Sequence, residues 1–258
     1  MMDIADRPEV APELRLVPHA FRRTFGRAAS GVWYAPGVLN LLGGAVKVHA
    51  KWGAIVAGDR RDDGRLELVS VNRPTERALL PSGEIPAWAA PVAGSEGGAT
   101  LMCSVDLPRG SGLSAGEALR TAVGLALRDL AGSHYEEPPA VELDLPGQRL
   151  LVVDTRVRRE EPQVERPYAG QTEDLGAALT AYHHAQNPDP EQDAVVTAAV
   201  QAGARGASML VDPPGRPAVV LVDADLVPAV KKAITKAVEV PPRYLTIVPA
   251  LFRTAALR

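Results

Sequence analysis

The chain has 258 residues, enough for one large domain or two small ones, and its composition is typical of a soluble globular protein. Its net charge of −3 and its scattered basic residues exclude the broad basic surface with which many proteins bind nucleic acids. The single cysteine, Cys103, excludes an intrachain disulfide and a zinc site made of cysteines, and its apolar neighbours predict a buried thiol.

The N-terminal segment, residues 1–10, has neither the basic start nor the apolar core of a signal peptide. No stretch further along the chain is apolar over the length that a membrane-spanning helix needs. We therefore expect a cytoplasmic protein that binds neither membranes nor nucleic acids.

Hydrophobic spacing in the N-terminal half predicts alternating helices and strands. Apolar residues recur at helical spacing over residues 13–27 and predict an amphipathic helix there. Residues 72–98 are rich in proline and glycine and predict a long surface loop. A second helix is predicted over residues 114–130, ended by Gly132. Strands are predicted at residues 32–34, 52–57, 66–71, 100–105 and 150–153.

The C-terminal part follows the order helix, helix, strand, strand, helix, strand, of which a part is typical of a ferredoxin-like α+β module. These elements are predicted at residues 175–184, 191–203, 207–211, 218–222, 226–238 and 244–248.

A glycine-rich loop, residues 107–118, joins an apolar strand to a helix. Its glycines let the backbone approach a ligand or adopt a positive φ, and the free amides and dipole of a helix start favour an anion. The candidate nucleotide-binding residues are Pro108, Gly110, Ser111, Gly112, Leu113 and Ser114. The alternative is an ordinary tight loop in which Ser114 caps the helix.

Four separated parts of the chain resemble one protein family. They are residues 35–43 (Ala-Pro-Gly-Val-Leu-Asn-Leu-Leu-Gly), the loop at 108–118, the strand ending in Asp154-Thr155, and C-terminal stretches at 203–209, 219–222 and 241–249. In this order they resemble the motifs of galactokinases, members of the GHMP small-molecule kinase superfamily. The resemblance implies an α+β, GHMP-kinase-like fold: an N-terminal ribosomal-protein-S5-like domain over residues 1–148 and a C-terminal ferredoxin-like domain over residues 149–258.

The departures from the family pattern bear on activity. The family's first signature has a catalytic arginine where this chain has Val38, and sugar-binding residues where it has Gly44, Ala45 and Lys47. A buried sugar hydroxyl needs a partner for its hydrogen bonds, so these changes predict loss of sugar recognition. The resemblance therefore implies no catalytic residue at these positions.

Three further regions depart from the family pattern in ways that also predict loss of activity. In the loop, Gly116 replaces the family's magnesium-binding hydroxyl, and Glu117 brings a carboxylate to the helix start, where it can substitute for a phosphate. The segment between Gly132 and Leu150 is too short to carry the family's catalytic aspartate, and Pro213 and Pro214 interrupt its C-terminal glycine motif. ATP and magnesium are therefore expected as cofactors only if the loop still works, and no metal site is expected.

The leading hypothesis is a galactokinase-like pseudokinase, associated with carbohydrate metabolism, that acts as a binding or regulatory module for a small molecule, a nucleotide or a protein partner. A first alternative is an active sugar or small-molecule kinase with rearranged groups: Glu117, Asp106 or Asp144 as acid or base, and Lys47 or Arg109 on the phosphate.

A second alternative is a serine hydrolase, because Gly112 to Gly116 fits Gly-x-Ser-x-Gly and Asp154 precedes His183 and His184 in the order of a triad. The simpler interpretation places these histidines near a helix end, where imidazoles favour the dipole and the exposed carbonyls. Adjacent helical residues also point about 100° apart, which disfavours one metal ion bound by both.

Overall fold

The computed structural model describes residues 4–6, 12–81, 83–108, 111–133, 145–157, 168, 170, 173–210, 217–249 and 254–257. In this part of the chain the helices are α1 (Pro12–Phe25), α2 (Ala115–Leu130), α3 (Leu175–Ala185), α4 (Pro190–Gln201) and α5 (Val227–Ala237). The strands are β1 (Gly31–Leu41), β2 (Val46–Arg60), β3 (Leu66–Ser70), β4 (Arg73–Leu80), β5 (Ala99–Val105), β6 (Gln148–Asp154), β7 (Gly206–Met209), β8 (Ala218–Asp223), β9 (Arg243–Ile247) and β10 (Ala255–Leu257).

The N-terminal half is a six-stranded sheet in the order β10-β1-β2-β5-β3-β4, covered by a helix on each face. On one face α1 buries Val17 and Phe21 against Val32 and Met102. On the other face α2 packs its buried side chains on a larger apolar cluster that includes Trp33 and Leu101. Because both faces are covered, most residues of β1 are buried whichever way they point.

The C-terminal half is a four-stranded antiparallel sheet in the order β7-β8-β6-β9. Alternate residues along β6 serve two cores. Leu151 and Val153 face α4 and α5. Leu150 and Val152 face α3 together with the far ends of β1 and β2, including Leu39 and Val48. This second core joins the two halves, and the glycine-rich loop lies at its edge.

The α+β class and most element positions predicted from the sequence are confirmed, including the alternating C-terminal elements. The long surface loop predicted at residues 72–98 is wrong. This stretch forms β4 and a 3-10 segment, Ala87–Val92, and it buries Ala78, Leu80 and Val92 in the core beneath α2. Pro74 does not prevent a strand here, because β4 is the edge of the sheet and an edge position tolerates a missing backbone donor.

The end of the chain returns to the first sheet. Residues 255–257 pair with β1 in antiparallel register, Val32 opposite Leu257. The division of the chain into domains at residues 148 and 149 remains a prediction. Among the described helices, none is long and apolar enough to cross a membrane.

Candidate functional site

The C-terminal end of the glycine-rich loop is hydrogen-bonded to strand β1. Ser114 donates its backbone N–H to the carbonyl of Val38 at 2.9 Å. The neighbouring residue, Leu113, forms an isolated antiparallel bridge with Leu39. Two of the segments that resemble galactokinase motifs, residues 35–43 and 108–118, are therefore in direct backbone contact.

Backbone amides of this loop already have acceptors within the protein. The N–H of Ser111 donates to the carbonyl of Pro108 at 3.3 Å, and the N–H of Leu113 donates to Ser111 Oγ at 3.3 Å. With Ser114 bound to Val38, three of the predicted phosphate-binding residues use their amides internally. A phosphate needs such amides free to donate. Gly110 lies outside the described residues.

Gly112 has the positive φ that its position in the loop predicts, +69°. A Cβ at this residue would overlap Leu210 Cδ1 and would lie 3.3 Å from Leu39 Cδ1 and 3.5 Å from Pro217 Cγ. The backbone here approaches the apolar core between the two halves of the molecule. Close packing alone accounts for the glycine at this position.

The start of α2 holds a paired carboxylate. Glu117, in the first helical turn, lies 2.9 Å from Lys47 Nζ through Oε1 and accepts a hydrogen bond from Asn40 Nδ2 through Oε2 at 3.3 Å. Burial of this carboxyl would raise its pKa, but the hydrogen bonds from Lys47 and Asn40 outweigh burial and leave the pKa below its usual value. An ionised carboxylate thus faces the positive end of the helix dipole.

Ser114 occupies the N-cap position of α2, but its side chain makes no capping hydrogen bond. Its hydroxyl instead accepts from Asn40 Nδ2 at 3.3 Å, so the side-chain cap predicted from the sequence is wrong. The negatively charged residue at this helix start is Glu117, whose carboxylate interacts favourably with the helix dipole. At Gly116 a Cβ would lie 3.0 Å from Pro91 Cγ, so a serine there would crowd the 3-10 segment.

A small pocket of about 280 Å³ lies on the other side of the loop, against the C-terminal sheet. Its lining is Pro108 and Ser111 from the loop, Val152 and Asp154 from β6, and Arg243, Tyr244 and Leu245 from β9. The sequence placed Pro108 and Ser111 in a site but did not single out Arg243 or Tyr244. A carboxylate that ends an apolar strand, as Asp154 does, is the one sequence signal that could have pointed here.

Known proteins resemble this chain in sequence and in structure. No protein-family model matches the sequence. The sequence is 28% identical to a galactokinase of Streptomyces coelicolor over 357 residues, which span 86% of this chain and 92% of that protein. The structure superposes on Lactococcus lactis galactokinase complexed with galactose at a TM-score of 0.71 and 16% identity, covering 92% of this chain and 98% of the other. The chain is a galactokinase homologue.

Its fold extends to other kinases of the GHMP group. Methanococcus jannaschii mevalonate kinase superposes with a TM-score of 0.58 at 11% identity, covering 87% of this chain and 99% of that one. The match to the Streptomyces galactokinase runs over 357 residues, more than the 258 of this homologue. The alignment therefore includes stretches of the relative for which this chain has no residues.

The serine hydrolase alternative fails on geometry in this galactokinase homologue. The Ser114 hydroxyl accepts a hydrogen bond from the Asn40 amide, whereas His183 accepts one from Met209 in the C-terminal strand β7. Asp154 accepts the N–H of Arg156 at 2.9 Å and lines the pocket with Ser111. A triad needs the serine and histidine within hydrogen-bonding reach of each other, and no such contact is made among the described residues.

His183 and His184 lie in the last turn of α3, as the sequence predicts, but the His183 side chain is buried. This side chain is 0% exposed, and its Nδ1 accepts the N–H of Met209 at 3.3 Å. Burial and the nearby His184 lower its pKa, against smaller opposing effects of Asp193 and Asp189, so the neutral form is favoured. A neutral, buried imidazole carries no net charge and therefore interacts only weakly with the helix dipole.

Possible metal-ligand atoms of His183, His184 and Asp193 lie within 4.8 Å of one another. The hydrogen bond from Met209 assigns the proton of neutral His183 to Nε2, the atom that lies 3.5 Å from Asp193 Oδ1. A metal ion at Nε2 would require this proton to move to Nδ1, where it would face the N–H of Met209 and break that hydrogen bond. The arrangement is that of a buried histidine beside a carboxylate.

Proposed function

We propose that this galactokinase homologue has lost phosphoryl transfer and acts as a binding or regulatory module. The observation that carries the proposal is the position of Glu117. Its carboxylate lies in the first turn of α2, paired with Lys47 at 2.9 Å. A helix start attracts one anionic group, and here that group belongs to the protein itself.

The described residues of the loop do not fit a nucleotide phosphate with magnesium. A phosphate bound at this helix start would lie close to the Glu117 carboxylate, and the two negative charges would repel each other. The amides of Ser111, Leu113 and Ser114 have other acceptors. Gly116 offers no hydroxyl to a metal ion, and Pro91 occupies the adjacent space.

The sugar side of the site supports the same proposal. Val38, at the position of the family's catalytic arginine, has a buried side chain that carries no charge to a transferring phosphoryl group. Lys47 stands at the position of a sugar-binding acidic residue and is engaged with Glu117. The chain therefore has an uncharged side chain and a lysine at two positions where a galactokinase has an arginine and an acidic residue.

The alternative of an active kinase would need a carboxylate and a cation that converge on the loop. Glu117 and Lys47 do meet there, but they bind each other. A general base works best with a pKa near the working pH, whereas the pKa of Glu117 lies below its ordinary value. Asp106 is exposed, and Arg109 and Asp144 lie outside the described residues.

Transfer of the γ-phosphate from radiolabelled ATP tests the proposal against this alternative. The purified protein is incubated with Mg²⁺, ATP and a panel of sugars that includes galactose, beside an active galactokinase as positive control. We expect no labelled sugar above the protein-free background. Labelled product that Glu117→Gln abolishes, and that the exposed matched control Glu96→Gln retains, would replace the proposal with an active kinase that uses Glu117.

The ligand of the module is expected to be a small molecule, with a protein partner as the second candidate. The cytoplasmic location expected from the sequence also remains a prediction, which fractionation of the source cells would test.

A further inference from the structure

Helix α3 covers the outer edge of β7, the strand at one end of the C-terminal sheet. Gly176, Thr180 and His183 are spaced by four and three positions along α3, so they lie on one face of the helix. A Cβ on Gly206 would overlap the carbonyl oxygen of Gly176, so the backbones of helix and strand touch where both begin. An uncovered strand edge would present unpaired backbone groups, and α3 prevents this at β7.

Two side chains of α3 accept the N–H groups of this edge. The N–H of Ala207 donates to Thr180 Oγ1 at 3.4 Å, and the N–H of Met209 donates to His183 Nδ1 at 3.3 Å. Successive amides of a strand point to opposite sides, so these two, separated by one residue, belong to the same edge. One acceptor is a hydroxyl and the other is an imidazole, and only the imidazole titrates near neutral pH.

The two ring nitrogens of His183 face different elements. Nδ1 accepts from Met209 in β7, so the proton of the neutral ring is assigned to Nε2. Nε2 is buried, makes no hydrogen bond and lies 3.5 Å from Asp193 Oδ1 in α4. A buried donor without a partner costs stability. The Asp193 side chain is 50% exposed, so it has room to move toward the ring and accept from it.

A second proton on the ring changes the partner that it can bind. This proton would go to Nδ1, because Nε2 already carries one, and an imidazolium has no acceptor. The Nδ1–H and the N–H of Met209 would then face each other as two donors, so their hydrogen bond would be lost. The charged ring would gain a charge-assisted hydrogen bond from Nε2 to Asp193 instead. The neutral ring therefore favours β7, and the protonated ring favours α4.

The groups around the imidazole place this change of partner at mildly acidic pH. The charged or titratable ones are His184 on α3, Asp193 on α4 and Asp189 just before α4. Burial, followed by His184, lowers the pKa of His183 from 6.5, and the two aspartates oppose that shift. Strand β7 and residues 42–44 also pack against α3 and have no titratable side chain. At pH 7 the ring is therefore neutral and bound to β7.

We propose that His183 is a pH-sensitive switch: when neutral it holds the outer edge of β7, and when protonated it leaves that edge and pairs with Asp193. The hydrogen bond from Ala207 to Thr180 does not depend on this proton, so only the Met209 end of the edge opens. An open strand edge can pair with another strand, so access to this end of β7 depends on pH. The inference is independent of the proposed function, because it uses neither the glycine-rich loop nor a nucleotide.

Nitrogen-15 NMR of the folded full chain, titrated from pH 8 to pH 4, tests the switch. The ring nitrogen shifts of His183 report its protonation, and the amide proton shift of Met209 reports its hydrogen bond. We expect both to change with one midpoint below pH 6.5, while the amide shift of Ala207 changes little. A Met209 shift that stays constant while His183 becomes protonated would overturn the inference. A His183 ring that stays neutral until the whole chain unfolds would overturn it too.

Variants assign the change to the two partners of His183. Asp193→Asn removes the charge that holds the protonated ring and should lower the midpoint by about one pH unit. Asp225→Asn removes the same charge at an exposed position after β8 and should leave the midpoint unchanged. His183→Asn keeps an acceptor for the N–H of Met209 but does not titrate, so the Met209 shift should become constant. An unchanged midpoint in Asp193→Asn, or a Met209 shift that still titrates in His183→Asn, would contradict the switch.

Discussion

Gly112 and Leu210 touch where the glycine-rich loop meets the C-terminal half: a Cβ on Gly112 would overlap Leu210 Cδ1. The same glycine has a φ of +69°, a conformation that L-residues rarely adopt. Two independent constraints, backbone conformation and packing, therefore require glycine here. Neither constraint depends on a bound phosphate.

Gly112→Ala should lower the free energy of unfolding by at least about 2 kcal/mol, because strain at positive φ and overpacking against Leu210 add. Gly132→Ala is the matched control, since Gly132 has a φ of +78° but nothing within 4 Å of its Cβ position. That control should lose only about 1 kcal/mol. Urea unfolding measures both. Equal losses of unfolding free energy in the two variants would mean that packing against Leu210 does not require a glycine at position 112.

Lys47→Met should raise the pKa of Glu117, because burial then acts on the carboxyl with less opposition. Carbon-13 NMR titration of the side-chain carboxyl measures this pKa directly. Lys51→Met removes a neighbouring exposed lysine of β2 that does not contact Glu117, and it should leave the pKa unchanged. An unchanged pKa in Lys47→Met would show that the ion pair at the helix start does not form in solution.

The sign of the associated pH effect follows from the same shift. Because the pKa of Glu117 is lower in the folded chain, its contribution to stability is present above the ordinary pKa of 4.5 and is lost as the pH falls through the lower pKa of the folded chain. The pair is partly exposed, with 54% of the Lys47 side chain accessible, so the effect is of the order of 0.2–1 kcal/mol.

Cys103 should not react with thiol reagents in the native protein. Burial raises the pKa of its thiol to about 12, against a smaller opposing hydrogen bond with Ser70. Labelling with a chromogenic disulfide at pH 8 should be negligible in buffer and complete in denaturant. Fast labelling of the folded chain would place Cys103 outside the core beneath α2.

His183 should make the protein less stable at mildly acidic pH. Burial lowers its pKa from 6.5, so the unfolded chain binds more protons below that pH, and stability falls as the pH drops from 7 to 5. His183→Asn keeps an acceptor near Met209 and should flatten this dependence. His19→Asn, an exposed control in α1, should retain it. A wild-type profile as flat as that of His183→Asn would contradict a buried neutral histidine.

The sequence predicted those elements whose apolar spacing is regular. The C-terminal helices and strands fall within a few residues of their predicted bounds, because each buries one face or both in a defined core. The strand and the 3-10 segment within residues 73–92 are not predicted from the sequence, because prolines dominate the local pattern. Its burial depends on the neighbouring strand β3 and on α2, which lie elsewhere in the sequence.

The candidate site could be predicted in part. Glycine spacing located the loop, and the resemblance located Glu117 as a charge at the helix start. The partners of Glu117 come from β1 and β2, 77 and 70 residues away, and no local pattern links them. The pairing of Asp154 with Arg243 across β6 and β9 likewise depends on strand register, which is a tertiary property.

Calorimetric titration with ATP and Mg²⁺, repeated with ADP and in the presence of galactose, is the most direct test of whether the loop has lost nucleotide binding. Because Glu117 occupies the start of α2 and the loop amides have acceptors, we predict no heat of binding and no thermal shift at millimolar nucleotide. Saturable binding of nucleotide at micromolar concentration, lost on competition with a non-hydrolysable analogue, would contradict it.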